Sequence, residues 1–282
     1  SVTGLLAGIA VEKGLIKPDG LLLPLLQSYH ALAKPDPRKK NITIRHLLDM
    51  RPGLDCAEMP GDRPERETER RNKTDMVRSH LQIPMAGRPG SRWRYCSSNP
   101  MLLGFALEAV LTDKGEGRLK AFLDRNLMLP LGISYYRTGY SPRGLMLMHG
   151  GQRMRVRDMA KFGQLVVSAG RWNGQQVVPA EWIRDLQQSG VETDWSWTRF
   201  ISDEKIHQRT SRYRSQWFQT KLLVGGRDIQ LVHSWGNGGQ FVIAVPELDL
   251  VVATTGSNYG SARIQEQAAI FRMLHSHILP AV

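Results

Sequence analysis

The last third of the chain changes its hydrophobic period, and this narrows the fold more than any other feature. IQLVHSW at 229–235, QFVIAVP at 240–246 and LDLVVATTG at 248–256 are apolar, β-branched runs joined by GNGG and PELD. Runs of this kind separated by turn-forming residues read as an antiparallel meander. A sheet must bury at least one face, and the segment 261–278 predicts a helix lying across it. Upstream the period is helical. SVTGLLAGIAVEKGLI places Leu5, Leu6, Gly8, Ile9 and Ala10 together before charged Glu12 and Lys13, with Gly14 as a C-terminal stop. A chain start is normally polar and frayed. So apolar an opening is expected to continue from a segment before Ser1.

Between these two ends the chain alternates helices with loops. Pro18, Asp19 and Gly20 form a turn, and KPDPRKKN at 34–41 reads as a polar loop. In ITIRHLLDM, Thr43 is the expected N-cap of a short helix that ends before RPGL at 51–54. Residues 57–92 read as loop-rich and polar. MLLGFALEAV predicts an apolar helix over 100–110, and LKAFLDRNLMLPLG predicts another, stopped by Pro130 and Gly132. RVRDMAKFGQLVVSAG at 155–170 is amphipathic, and PAEWIRDLQQSG opens with a proline, as helix first turns favour. The expected class is α+β: a mainly helical lobe over about 1–150, then helices, an antiparallel sheet and a C-terminal helix over 151–282.

Composition excludes several functions. With 282 residues and 41% hydrophobic content the chain can bury a large core. No apolar run approaches the roughly 20 residues of a membrane helix, and LLLPLL at 21–26 is short and broken by Pro24. The net charge of +12 raises nucleic-acid binding, but the densest charged run, DRPERETERRNKTD at 62–75, sets five basic residues against five acidic ones. That is a solvated mixed face and not a phosphate groove, so no nucleic-acid partner is expected. Cys56 and Cys96 match no zinc motif and are read as free thiols; no HExxH is present, and no metal is expected. Localisation stays open between bacterial periplasm and cytoplasm, because a leader upstream of Ser1 is not excluded.

Seven ordered segments carry a family resemblance: GIAVEKGLI, ITIRHLLDMRPGLD, PGSRWRYCSSNPMLLG, FLDRNLMLPLGIS, GGQRMRVRDMAKFGQL, WNGQQVVPAEW and WGNGGQFVIAVPELDLVVATTG. The chain resembles the penicillin-recognising serine hydrolases, which comprise class C β-lactamases, D-alanyl-D-alanine carboxypeptidases, related esterases and 6-aminohexanoate-dimer hydrolases. The resemblance implies a single catalytic domain of β-lactamase/transpeptidase-like fold, here without its N-terminal part. The family nucleophile is the serine of an SxxK motif, whose one-turn spacing sets the lysine amine beside the hydroxyl. In the family register Gly14 closes the helix that follows this motif, which puts the lysine immediately before Ser1 and the serine three residues earlier. Two serines in the chain compete. Ser1 has Gly4 where the lysine is needed, and Ser202 begins an SDEK match to Lys205 but opens no apolar helix.

Tyr95-Cys96-Ser97 stands where the family has Tyr-x-Asn or Tyr-x-Ser. The resemblance implies that Tyr95, beside a lysine ammonium, acts as general base and later as acid, with Ser97 in place of the asparagine. Read without its flanks, Tyr95 is a half-buried aromatic in a turn before a helix. Gly236-Asn237-Gly238-Gly239-Gln240 stands at the family's Lys-Thr-Gly strand. Carried over, Asn237 takes the Lys or His position, Gly238 and Gly239 join it in binding the substrate, the Gln240 N–H completes the oxyanion hole, and Trp235 walls the acyl pocket. As a bare hairpin the same residues need no further role. His149 is either near the cleft or a plain surface or core histidine. The implied chemistry is acyl transfer on a small-molecule ester or amide without cofactor. The alternative is a catalytically dead member of the fold acting as a binding module.

Overall fold

The computed structural model describes residues 1–27, 36–56, 58, 75–201 and 206–282. They group into two compact units, Ser1–Met154 and Arg155–Val282.

The first unit is helical. Helix α1 (Val2–Glu12) is buried continuously from Thr3 to Ala10, as expected of a helix that is apolar on every side. It stops at Gly14, whose φ of +67° suits a residue without Cβ. A short α2 (Leu22–Leu25) follows. The loop expected at 34–41 is corrected from Pro37 onward: Pro37–Asn41 form a 3₁₀ turn, because the Asp36 carboxylate accepts the Arg38 N–H at 2.9 Å and proline occupies the first turn. Helix α3 (Ile44–Leu48) has Thr43 as its cap. The Thr43 hydroxyl accepts the His46 N–H, and His46 Nδ1 accepts the Thr43 N–H in return, each at 3.2 Å. Within the segment read as loop-rich, α4 (Met76–Leu81) is a helix capped by Asp75. The rest of the charged run at 62–75 lies outside the described residues. Helix α5 (Ser98–Asp113) is the buried axis of the unit, and α6 (Leu119–Leu123) runs on into a wide turn over Asp124–Met128.

In the second unit, α7 (Val156–Val167) and α8 (Ala180–Gln188) flank a small hairpin of β1 (Arg171–Trp172) and β2 (Gln175–Gln176). The main sheet has six strands: β3 (Val191–Glu192), β4 (His207–Arg214), β5 (Trp217–Val224), β6 (Arg227–Gly236), β7 (Gln240–Val245) and β8 (Leu250–Thr254). Each pairs antiparallel with its neighbour in sequence. The meander expected at 229–256 is β6–β7–β8; β3 to β5 extend it. Helix α9 (Ile264–Met273) closes one face, with Phe271 packed against Phe241 of β7 and His233 of β6 at 5.7 and 5.5 Å between ring centres. Among the described residues no helix is long and apolar enough to cross a membrane.

Candidate active site

In the first unit, the turn after α3 and the start of α5 enclose a cleft of about 390 Å³. The turn needs a glycine at position 53: its φ is +79°, and a Cβ there would stand 2.6 Å from the Gly87 carbonyl oxygen. Arg94 N–H donates to the Met50 carbonyl at 2.8 Å, which lays the strand-like segment before α5 against this turn.

Cys56 and Cys96 both line the cleft and are joined in a disulfide with Cα atoms 5.7 Å apart. This corrects their reading as free thiols. Spacing in sequence carries no trace of the pairing, since 40 residues separate them; the fold of 51–56 against the segment before α5 brings them together. On the chain-entropy view, closing a loop of that length stabilises the fold by roughly 4 kcal/mol. The two sulfurs and a Glu58 carboxylate oxygen lie within 4.8 Å of one another. A soft divalent ion would require two thiolates there, and the disulfide offers none.

Tyr95 and Ser97 flank Cys96, and both are half-buried. Glu58 holds this segment on both sides. Its backbone N–H donates to the Tyr95 carbonyl at 3.2 Å, and its Oε2 accepts the Ser97 N–H at 2.9 Å. Burial, with the Glu58 carboxylate adding to it, pushes the Tyr95 phenol up to about 12. Ser97 sits at the N-cap of α5 without a side-chain capping bond. The next residue makes a contact that sequence reading missed: Ser98 Oγ lies 2.8 Å from His80 Nδ1. Both are fully buried, so the pair ties α4 to α5 and presents no hydroxyl to a substrate. Their spacing in sequence matches no catalytic pattern.

Ser1 occupies the N-cap of α1, and its carbonyl accepts the Leu5 N–H. Ser202 and Lys205 lie outside the described residues. His149 is half-buried with Nδ1 3.1 Å from Met101 Sδ.

The second unit holds the other predicted residues. Gly236 pairs with Gln240 across the β6–β7 turn, and Gly238 and Gly239 adopt φ of +102° and +94°. The Asn237 and Gln240 side chains brace this turn. Asn237 Oδ1 accepts the Gly260 N–H at 2.9 Å and the Gln267 Nε2–H at 3.2 Å. The Gln240 amide donates to the Gly256 carbonyl at 2.8 Å and accepts the Gly256 N–H at 3.0 Å. Gln267 of α9, unremarked in the sequence, also accepts the Trp235 indole N–H at 2.9 Å. Trp235 stacks on Trp195 at 5.8 Å and meets the edge of Trp197 at 5.0 Å. An aromatic packing role accounts for its position.

A model of the Beta-lactamase family matches residues 1–274, and the chain belongs to that family. Solved structures carry the same β-lactamase/transpeptidase-like fold. One is a Bacillus anthracis protein assigned as a 6-aminohexanoate-dimer hydrolase, 17% identical, with a TM-score of 0.69 over all of this chain and 71% of its own. A second is the octameric penicillin-binding protein homologue of Pyrococcus abyssi, 18% identical, TM-score 0.67, over 97% of this chain and 64% of its own. A third is a family VIII carboxylesterase, 15% identical, TM-score 0.64, over 96% of this chain and 80% of its own.

Proposed function

We propose that the protein to which this chain belongs is a serine hydrolase that forms an acyl-enzyme from small esters or amides. The match of the family model over 1–274 carries this reading. In it the nucleophile and its lysine belong to an SxxK motif immediately preceding Ser1. The serine oxygen attacks the carbonyl, its proton passes to the Tyr95–lysine pair, the leaving group departs with that proton, and water releases the acyl group by the same route. Tyr95 needs the lysine: a phenol held up to about 12 is protonated at neutral pH, and an adjacent ammonium is what would favour the phenolate. The Gln240 N–H takes the oxyanion role. Asn237 is uncharged and its Oδ1 is already engaged by Gly260 and Gln267, which favours substrates without a carboxylate to be paired over β-lactams or cell-wall peptides.

The test is covalent labelling. An extended protein carrying the upstream residues should hydrolyse short-chain nitrophenyl esters and take up a fluorophosphonate on a serine before Ser1, mapped by peptide mass. Labelling at Ser1 or Ser202 would overturn the register. No labelling and no turnover would leave a binding module of the same fold.

A further inference from the structure

We infer that the Cys56–Cys96 disulfide, together with Glu58, is a redox-sensitive clamp that positions the Tyr95 segment. Its effect on turnover rests on the hydrolase reading; the clamp itself does not. Three consecutive residues of the motif are held from one short stretch. The Tyr95 carbonyl accepts the Glu58 N–H, Cys96 is bonded to Cys56, and the Ser97 N–H donates to Glu58 Oε2. Cys56 Sγ lies 3.6 Å from Glu58 Oε1, so the covalent bond and the two hydrogen bonds belong to one arrangement. With Cys96 between Tyr95 and Ser97, no covalent tether could sit closer to the tyrosine without being on it. Cutting the disulfide removes the covalent part of this arrangement, and the two Glu58 hydrogen bonds that remain are each of modest net strength.

Both cysteines line the cleft and both are largely buried, Cys56 with 5% of its surface exposed and Cys96 with 1%. The reductant is an external dithiol. Its thiolate attacks Cys56 Sγ, the S–S bond breaks, and Cys96 leaves as thiolate and takes up a proton. The second thiol of the reductant then displaces Cys56 from the mixed disulfide and closes a ring on its own sulfur. Two electrons and two protons reach the protein, and the dithiol becomes a cyclic disulfide. Cys56 and Cys96 are positioning residues here: they act through Tyr95 and touch no substrate.

The experiment uses the extended protein, oxidised or reduced with dithiothreitol. Thiol titration counts two new thiols, circular dichroism monitors the fold, and hydrogen exchange follows the peptide spanning 95–97. Reduction should raise exchange at the Ser97 amide and lower kcat by about tenfold to a hundredfold, the scale of small misplacements of a reacting group. KM should change little, and reoxidation should restore kcat. A Cys56→Ala/Cys96→Ala variant should match the reduced enzyme and no longer respond to dithiothreitol. Two free thiols with unchanged Ser97 exchange would overturn the clamp, as would activity that falls only when the dichroism signal falls. A protein that hydrolyses no ester in either state refutes the hydrolase reading instead, and the exchange measurement still decides the clamp.

Discussion

Tyr95 keeps its proton at neutral pH in the surroundings this chain provides, because burial and the Glu58 carboxylate both disfavour the phenolate. Its proposed role therefore depends on a neighbouring cation, the part the proposal assigns to the SxxK lysine. In the active extended protein, Tyr95→Phe should lower kcat by about 10² or more while the urea midpoint stays put, the scale on which a general base is lost. An unchanged kcat would return Tyr95 to a packing role. The tyrosine could be singled out in the sequence because PGSRW and SSNPMLLG frame it. Its neighbours could not. The disulfide, the Glu58–Ser97 bond and the His80–Ser98 contact join residues that are 40, 39 and 18 positions apart, and nothing local distinguishes a cysteine or glutamate destined for such a contact from a solvated one. Gln267 escaped notice for the same reason: its bonds to Trp235, Asn237, Asn258 and Gly260 exist only once α9 lies on the sheet.

At the level of elements, periodicity served where one face is uniformly apolar. The runs at 229–256 show β-branched clusters between turn residues, and they fold as β6 to β8. HQRTSRYR of β4 hides its strand, since most of its side chains are exposed or half-buried and only Tyr213 is buried; pairing to β5 overrides a polar sequence. Pro37–Asn41 was missed because a single capped turn has no period to read. The contact of α7 with the sheet gives a sharper test. A Cβ at Gly163 would stand 2.6 Å from Val251 Cγ1 and 3.0 Å from Val242 Cγ1. Alanine gains about 1 kcal/mol of helix propensity, but overpacking against two stiff, branched side chains costs typically 1–3 kcal/mol. Crowding should prevail, so Gly163→Ala should lower the urea midpoint without changing the m-value. A midpoint equal to or above the wild type would mean that α7 can lift from β7 and β8 at little cost.

On the scale of the whole molecule, acid sensitivity follows from one buried ring in an already cationic protein. The net charge is +12 at pH 7, and protonating carboxylates on acidification adds to the self-repulsion. His233 adds a specific part. It is fully buried, stacked on Phe218 at 5.3 Å and bonded through Nε2 to Thr220 Oγ1 at 3.0 Å, and burial lowers its pKa from 6.5 to about 3. The folded state thus binds a proton less readily than the unfolded chain. Above pH 6.5 both states are neutral at this position and no stability is lost; as pH falls from 6.5 toward 3, only the unfolded chain takes up the proton, and stability declines. At pH 5 the difference amounts to about 2 kcal/mol. His233→Gln, which keeps a polar group within reach of Thr220 but cannot titrate, should cost stability at pH 7 yet lose about 2 kcal/mol less than wild type between pH 7 and pH 5, measured by urea unfolding at both values. Parallel losses in the two proteins would show that His233 is already free to take up a proton in the folded sheet, or that the carboxylates alone account for the acid response.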